Sequence, residues 1–268
     1  QEKQMTTLGG NVTAYEVDGT FDDCQRLVKQ ALADPEIRRR TALTSANSIN
    51  IARLLPQMFY YVYASLRHGG SDLPLVSVPS GNLGNLTGGL MAKMIGAPLG
   101  QFIAALNDNK IFGDYLSTGR FSPQPSVETI SNAMDVGNPS NFARISTLFS
   151  GSLATAQAHI SAFSVSEEAT LGAIRSTYEA TGYVLDPHTA VGVAALERYR
   201  KQHPSTRSVP GIGLSTAHPA KFSAVVRRAI GIEPKLPPQL AEALEAQAVK
   251  VPLGNCASEL RGALVKQP

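Results

Sequence analysis

The chain of 268 residues has only two cysteines, Cys24 and Cys256, and they stand far apart. The pair matches no metal-ligand spacing and no disulfide framework, so no metal site is expected. It fits a reducing compartment, which makes a cytoplasmic location the expectation. No apolar run reaches the roughly 18 residues that a membrane-spanning helix needs, and no stretch has the layout of a signal peptide. Charge is sparse as well. Charged residues make up 17% of the chain and the formal net charge is +3, too small and too dispersed to imply nucleic acid. The closest thing to a basic cluster, Arg38-Arg39-Arg40, reads as a solvated helix end. Internal repeats and low-complexity tracts are missing. What is present is 43% hydrophobic content, over a length sufficient for one large domain or two small ones with a sizeable core.

The opening Gln1-Glu2-Lys3-Gln4-Met5 has no initiator methionine and leads within a few residues into a strand-like Asn11 to Val17. It reads as the middle of something longer, and a fragment is expected. Beyond Gly19, Thr20 is placed to cap a helix from Phe21 to Ala33, with Asp22 and Asp23 opposing the dipole in its first turn. Thr44 to Leu66 is the longest helical candidate, and Pro56 should kink it or restart it. Further on, Gln101 to Leu106 reads as a buried strand. Asn107 to Asn109 can cap a helix over Ile111 to Leu116, and Asn141 to Gln157 and Ser166 to Thr181 read as helices. Val209 to Leu214 suits a strand, followed by a turn into a helix that ends near Gly231. After the proline-rich Glu233 to Pro238, one helix near Gln239 to Ala248 and a short terminal helix are expected. Strands alternating with helices give an α/β protein with a mainly parallel sheet flanked by helices.

Against that frame the stretch Val76-Ser77-Val78-Pro79-Ser80-Gly81-Asn82-Leu83-Gly84-Asn85 stands out, because a helical pattern, Leu86 to Met94, follows it. Strand, glycine turn and helix together aim free backbone N–H groups at an anion. It is not a P-loop, since no Gly-Lys-Ser/Thr follows, and the spacing is wrong for G-x-G-x-x-G. A hydrolase elbow is a weak reading, because the first glycine of G-x-S-x-G is missing. An anion site and an ordinary αβ loop with glycines at its turn both fit.

Other polar groups carry similar double readings. Asn47, Asn50 and Arg53 span an arc of roughly 120° at helical period, which suits either an anionic substrate or capping with a surface arginine. The turn-rich Thr129 to Phe142 is long for a stretch without local function. Asp186-Pro187 is sufficient as a helix cap, while His188 at the same helix start could be structural or catalytic. Ser80-Gly81-Asn82 and Ser215-Thr216-Ala217 both follow strands, and ligands of parallel sheets bind at such carboxyl ends.

Taken in series, these segments resemble the threonine synthase family. The residues that carry the resemblance are Ser80-Gly81-Asn82-Leu83-Gly84-Asn85, the Asn132 to Phe142 region, Asp186-Pro187-His188-Thr189-Ala190-Val191-Gly192 and Thr216-Ala217-His218-Pro219-Ala220-Lys221-Phe222. Gln1 to Met5, Gly19 to Gln25 and Asn47 to Gln57 add to it, in the right order up to about Ile230. Each segment alone is weak; seven in series are specific.

The resemblance implies a partial tryptophan synthase beta-like fold (fold type II) with pyridoxal 5'-phosphate as cofactor. The implied activity is conversion of O-phospho-L-homoserine and water to L-threonine and phosphate. The cofactor-binding portion would be residues 1–230, and 231–268 a C-terminal helical tail. By the same resemblance Gly81, Asn82, Leu83, Gly84 and Asn85 would cradle the cofactor phosphate, and Thr216 would meet the pyridine nitrogen. The family usually has Phe and Asp at the Leu83 and Asn85 positions, mild changes where backbone N–H groups carry the contact. Asn50 and Arg53, with Asn141 and His188, are the candidates for the substrate phosphate.

No catalytic residue is expected in this chain. The family's Schiff-base lysine belongs to an N-terminal segment upstream, which would be a partner of this chain. Of the lysines here, Lys93 falls inside a helix and Lys110 at a helix start, while Lys221 fits a packing and surface pattern. Two alternatives stay open: a related phospholyase that releases a keto acid, and a non-catalytic fragment that binds a phosphate ligand or serves as an interaction module.

Overall fold

The computed structural model describes residues 2–265, so Gln1 of the opening segment lies outside the described residues. Two compact units form, one from the residues up to Ser45 together with those from Lys235 onward, the other from Ala46–Pro234. This division differs in kind from the expected 1–230 and 231–268, because the first 45 residues group with the tail and not with the larger unit. Six strands occur among the described residues: β1 (Tyr15–Val17), β2 (Leu75–Pro79), β3 (Phe102–Leu106), β4 (Ile160–Ser164), β5 (Gly211–Gly213) and β6 (Val251–Leu253). Among the same residues no helix is long and apolar enough to cross a membrane.

In the smaller unit β1 pairs in parallel with β6, Tyr15 opposite Val251 and Val17 opposite Leu253. The tail is therefore not purely helical. Thr20 starts the helix Phe21–Ala33 with a capping box, its N–H donating to Asp23 at 2.9 Å while its hydroxyl accepts from the Asp23 N–H. The three arginines do sit in the last turn of a helix, Pro35–Arg40, which Asp34 caps.

The larger unit holds a four-stranded, all-parallel sheet in the order β4-β3-β2-β5. Every residue of β2 and β3 is buried, as befits central parallel strands covered on both faces. Alternate residues enter opposite cores. Val76, Val78, Phe102 and Ala104 pack with Tyr61, Leu86, Leu90, Phe112 and Ile145. Leu75, Ile103 and Ala105 pack with Ile174, Val191 and Ala195 on the other side. The helices Leu55–His68, Gly84–Met94, Ile111–Thr118, Phe142–Leu148 and Leu153–His159 supply the first face. Glu167–Thr181, Pro187–Gln202 and Ser223–Ile230 supply the second.

Two expectations change, and one strand is new. The helix expected from Thr44 begins only at Leu55, with Pro56 in its first turn and a short 3₁₀ turn, Ile51–Arg53, ahead of it. A proline lacks the N–H that an interior position must donate, so the helix restarts where that donor is not needed. The single helix expected over Asn141 to Gln157 is two, parted at Ser150 and Gly151, whose φ values are +51° and +74°. Strand β4 follows the second of them without a break, and its Ile-Ser-Ala-Phe-Ser run has no turn residue ahead of it to announce a strand.

Gly88 and Gly89 let the helix Gly84–Met94 lie close to Leu55–His68. A Cβ on Gly89 would stand 2.5 Å from Phe102 Cε1 and 2.7 Å from Tyr61 Cζ, both on fully buried rings. Gly89→Ala should therefore lower the unfolding free energy by about 1–2 kcal/mol, overpacking of about 1–3 kcal/mol outweighing a helix-propensity gain of up to about 1. Urea unfolding of the two proteins checks this; an Ala variant at least as stable would show that the rings can give way.

Candidate functional site

The chain leaves β2 at Pro79 and turns through Ser80 to Asn85 into the helix Gly84–Met94. Leu83 takes a left-handed backbone, φ +61°, although it is not glycine, and its side chain is buried in the core below. The strain is held by that burial. Gly81 is required by a close approach: a Cβ there would lie 2.7 Å from the Cα of Met134. The N–H groups of Gly81, Asn82, Leu83, Gly84 and Asn85 carry no acceptor among the described hydrogen bonds. A turn with that many unsatisfied donors at the positive end of a helix is an anion cradle.

The two asparagine side chains shape this turn. Asn82 Nδ2 donates to Ser48 Oγ at 2.8 Å, and its Oδ1 accepts from the Ser140 N–H at 2.6 Å. Asn85 Nδ2 donates to the Pro79 carbonyl at 2.7 Å, and the Asn85 carbonyl accepts from the Tyr61 hydroxyl at 2.7 Å. The donors left for a ligand are thus those of the backbone.

Strand β5 runs beside β2, Ser77 opposite Gly213, so the turn after β5 emerges next to the glycine turn. A cavity of about 810 Å³ opens there, lined by Arg53, Gln57, Tyr60, Asn85, Ser215 and Thr216 among others. Of the four candidates for the substrate phosphate, Arg53 alone lines it. Asn50 caps the 3₁₀ turn, its Oδ1 accepting from the Ala52 N–H at 3.1 Å, so Asn47, Asn50 and Arg53 form no helical stripe. Asn141 is fully buried, donating to the Asn82 carbonyl at 2.9 Å and to Ser48 Oγ at 3.3 Å. His188 is buried as well; its Nδ1 meets Asp186 Oδ1 at 2.9 Å and its Nε2 accepts from the Ala133 N–H at 3.1 Å. These three hold the walls and do not face the cavity.

Sequence reasoning passed over several residues that shape the site. Arg144 donates to the carbonyls of Ser48 and Ile49 and to Asn141 Oδ1, pinning the segment before Arg53. An arginine on an amphipathic helix gives no sequence signal for such a role. Asp135 gathers Asn107, Asn109 and Thr129 beneath the 129–142 stretch, and burial raises its pKa despite those donors. Among the described residues no lysine lines the cavity. Lys93 donates to the Gly100 carbonyl at 2.7 Å, with its pKa lowered by burial, and Lys110 and Lys221 are exposed.

Residues 1–209 match the family model for pyridoxal-phosphate dependent enzymes. The chain belongs to that family. Residues 189–259 match the model for the C-terminal part of threonine synthase. Among curated relatives, threonine synthase of Haemophilus influenzae is 41% identical over 279 residues, covering 99% of this chain and 61% of the relative. That of Escherichia coli is 43% identical over 244 residues, covering 90% and 55%. The crystal structure of the Escherichia coli threonine synthase superposes with a TM-score of 0.90 at 39% identity, covering 98% of this chain and 60% of that one. The PLP-bound threonine synthase of Brucella melitensis gives 0.82 at 32% identity, covering 98% and 61%. The chain thus spans about three-fifths of the length of these relatives.

The residues present fit the family's cofactor. The acceptor-free N–H groups suit a phosphate, and a neutral hydroxyl, Thr216, shares one cavity with Asn85 at the edge of that turn. The cavity is within the size range of small-molecule sites.

Asp186 lies behind these walls. Burial acts to raise its pKa, but donation from His188 and Thr189 outweighs burial and lowers it. A carboxylate with a depressed folded pKa adds stability that is complete above its unfolded value of about 3.9 and is lost as pH falls through the folded one. Asp186→Asn should therefore cost stability near neutral pH, roughly 1–3 kcal/mol for buried donors left poorly matched, and the gap should close in acid. Urea unfolding across a pH series checks it; a gap that stays constant below pH about 4 would contradict the sign.

Proposed function

We propose that this chain forms the cofactor-phosphate and ring side of a threonine synthase, which converts O-phospho-L-homoserine and water to L-threonine and phosphate. The observation that carries this is the cavity that joins Asn85 of the acceptor-free turn to Thr216 and Arg53. The family membership and the 41% identity to a threonine synthase support the choice of reaction. A cytoplasmic location goes with it, supported by two cysteines that are both unpaired.

In this proposal the backbone donors of Gly81 to Asn85 bind the cofactor phosphate, and their fixed directions orient the ring toward β5. Bound pyridoxal phosphate would supply an electron sink for charge that develops at the substrate carbons. Thr216 would hydrogen-bond the ring nitrogen. A neutral hydroxyl does not hold that nitrogen protonated as a carboxylate would, which makes the sink weaker. Arg53, the last residue of the 3₁₀ turn and part of the cavity wall, has the planar charged donors that grip a phosphate. It would hold the substrate phosphate apart from the cradle. The lysine that exchanges protons with the substrate would come from the part of the family's length that this chain does not span.

Three measurements test this. The purified chain should bind pyridoxal phosphate in equilibrium dialysis, with inorganic phosphate competing, and an absence of binding would sink the cofactor role. Supplied with the lysine-bearing remainder of a threonine synthase, it should release threonine and phosphate from O-phospho-L-homoserine. A keto acid in place of threonine would assign a phospholyase. In that active form Arg53→Ala should raise KM for O-phospho-L-homoserine roughly ten- to a hundredfold, the worth of a charged hydrogen bond, and leave cofactor affinity alone. An unchanged KM removes Arg53 from the substrate site.

A further inference from the structure

Behind the cavity, at the start of the helix Pro187–Gln202, one buried carboxylate serves two directions. Asp186 is 1% exposed and His188 2%. Asp186 Oδ1 accepts from the N–H of His188 at 2.9 Å and of Thr189 at 3.3 Å, and lies 2.9 Å from His188 Nδ1. Its Oδ2 accepts from the Thr189 hydroxyl. Capping explains the backbone contacts; it does not explain why both following side chains are also engaged.

Each of those side chains continues to a different wall of the site. The Ala133 N–H donates to His188 Nε2, which leaves the ring proton on Nδ1, where it is donated in a hydrogen bond to Asp186 Oδ1. Ala133 precedes Met134, whose backbone closes on Gly81 so tightly that a Cβ there would stand 2.7 Å away. The ring of Phe222 packs at 60° to the imidazole, with centroids 4.7 Å apart, which fixes the imidazole plane. In the other direction Thr189 Oγ1 lies 3.4 Å from Ser215 Oγ, and Ser215 precedes Thr216. The helix that carries both residues is itself locked to the sheet, where the Gly192 carbonyl accepts from Ser77 Oγ at 2.6 Å.

We propose that Asp186 is a positioning residue that sets the two ends of the cofactor site against each other. Through His188 and Ala133 it presses the Met134 backbone onto the glycine turn and keeps the phosphate donors convergent. Through Thr189 it places the Ser215-Thr216 turn. The inference rests on the proposed cofactor role for its consequence, though the brace itself exists without cofactor. None of the three residues faces the cavity, so they act only through the groups they hold.

The two arms separate experimentally. His188→Leu removes the acceptor for Ala133 and should weaken binding of pyridoxal phosphate, and of inorganic phosphate as its competitor, roughly ten- to a hundredfold. His188→Gln, whose amide oxygen can accept the same N–H, should restore most of it. Thr189→Val should leave inorganic phosphate binding at its original level and shift the absorbance maximum of the bound cofactor, because only the ring end is loosened. Equal weakening by His188→Leu and Thr189→Val, no change in either, or no rescue by Gln would overturn the proposal. Amide hydrogen exchange at Ala133 in the cofactor-free protein gives an independent reading, faster in His188→Leu and slow again in His188→Gln. If the unaltered protein bound no pyridoxal phosphate, the cofactor role would fall while exchange at Ala133 still decided the brace. Should His188→Leu not fold, His188→Asn, polar but too short to reach Ala133, takes its place in both measurements.

Discussion

The parallel pairing of β2 with β5 is the constraint on which the rest of the site depends. With Val76 opposite Ile212 and Ser77 opposite Gly213, the two strands end on the same edge of one sheet. Their following turns, Ser80 to Asn85 and Leu214 to Thr216, then have to emerge side by side. One turn offers backbone donors, the other hydroxyls. The pairing of the strands, more than any contact between the turns, creates the cavity between them.

The burial of β2 makes that placement rigid. Its residues alternate between two cores, so sliding the strand by one position would exchange every side chain between the faces. Leu83 adds a second anchor. Its left-handed backbone costs energy that only a packed side chain offsets, and the packing beneath the turn supplies it. Asn82 and Asn85 then spend their amides on the loop's own neighbours, which leaves the N–H groups as the chemistry of the turn. A cradle built this way is preorganised, and the position of each donor is decided by core packing below and by the 129–142 stretch beside it.

The sequence shows its limits at particular residues. Asp186, Pro187 and the glycine turn could be read locally, because caps and tight turns depend on residues a few positions apart. Asn141 and His188 are among the candidates for the substrate phosphate, yet both are buried in the walls. Their partners, Asn82 and Ala133, lie 59 and 55 positions away, a separation that no local pattern encodes. Arg144 was passed over for the same reason, with its acceptors at Ser48 and Ile49. The Asn47-Asn50-Arg53 stripe failed because helical period was assumed ahead of Pro56, where a 3₁₀ turn and a capping asparagine stand instead.

The sequence by itself determined the α/β class, the strand-turn-helix around Ser80 to Asn85, the caps at Thr20 and Asp186, and the resemblance carried by segments in series. All of these are local, or are sums of local signals. Only the tertiary structure decided that Thr216, Arg53 and Asn85 share one cavity, that β4 belongs to the sheet, and that Asp186 reaches both turns through different side chains. Those facts depend on strand order and on which distant backbone group accepts or donates a hydrogen bond. Periodicity along a chain carries no information about either. At Ser80 to Asn85 the two levels meet: local chemistry supplies the donors, and long-range packing aims them.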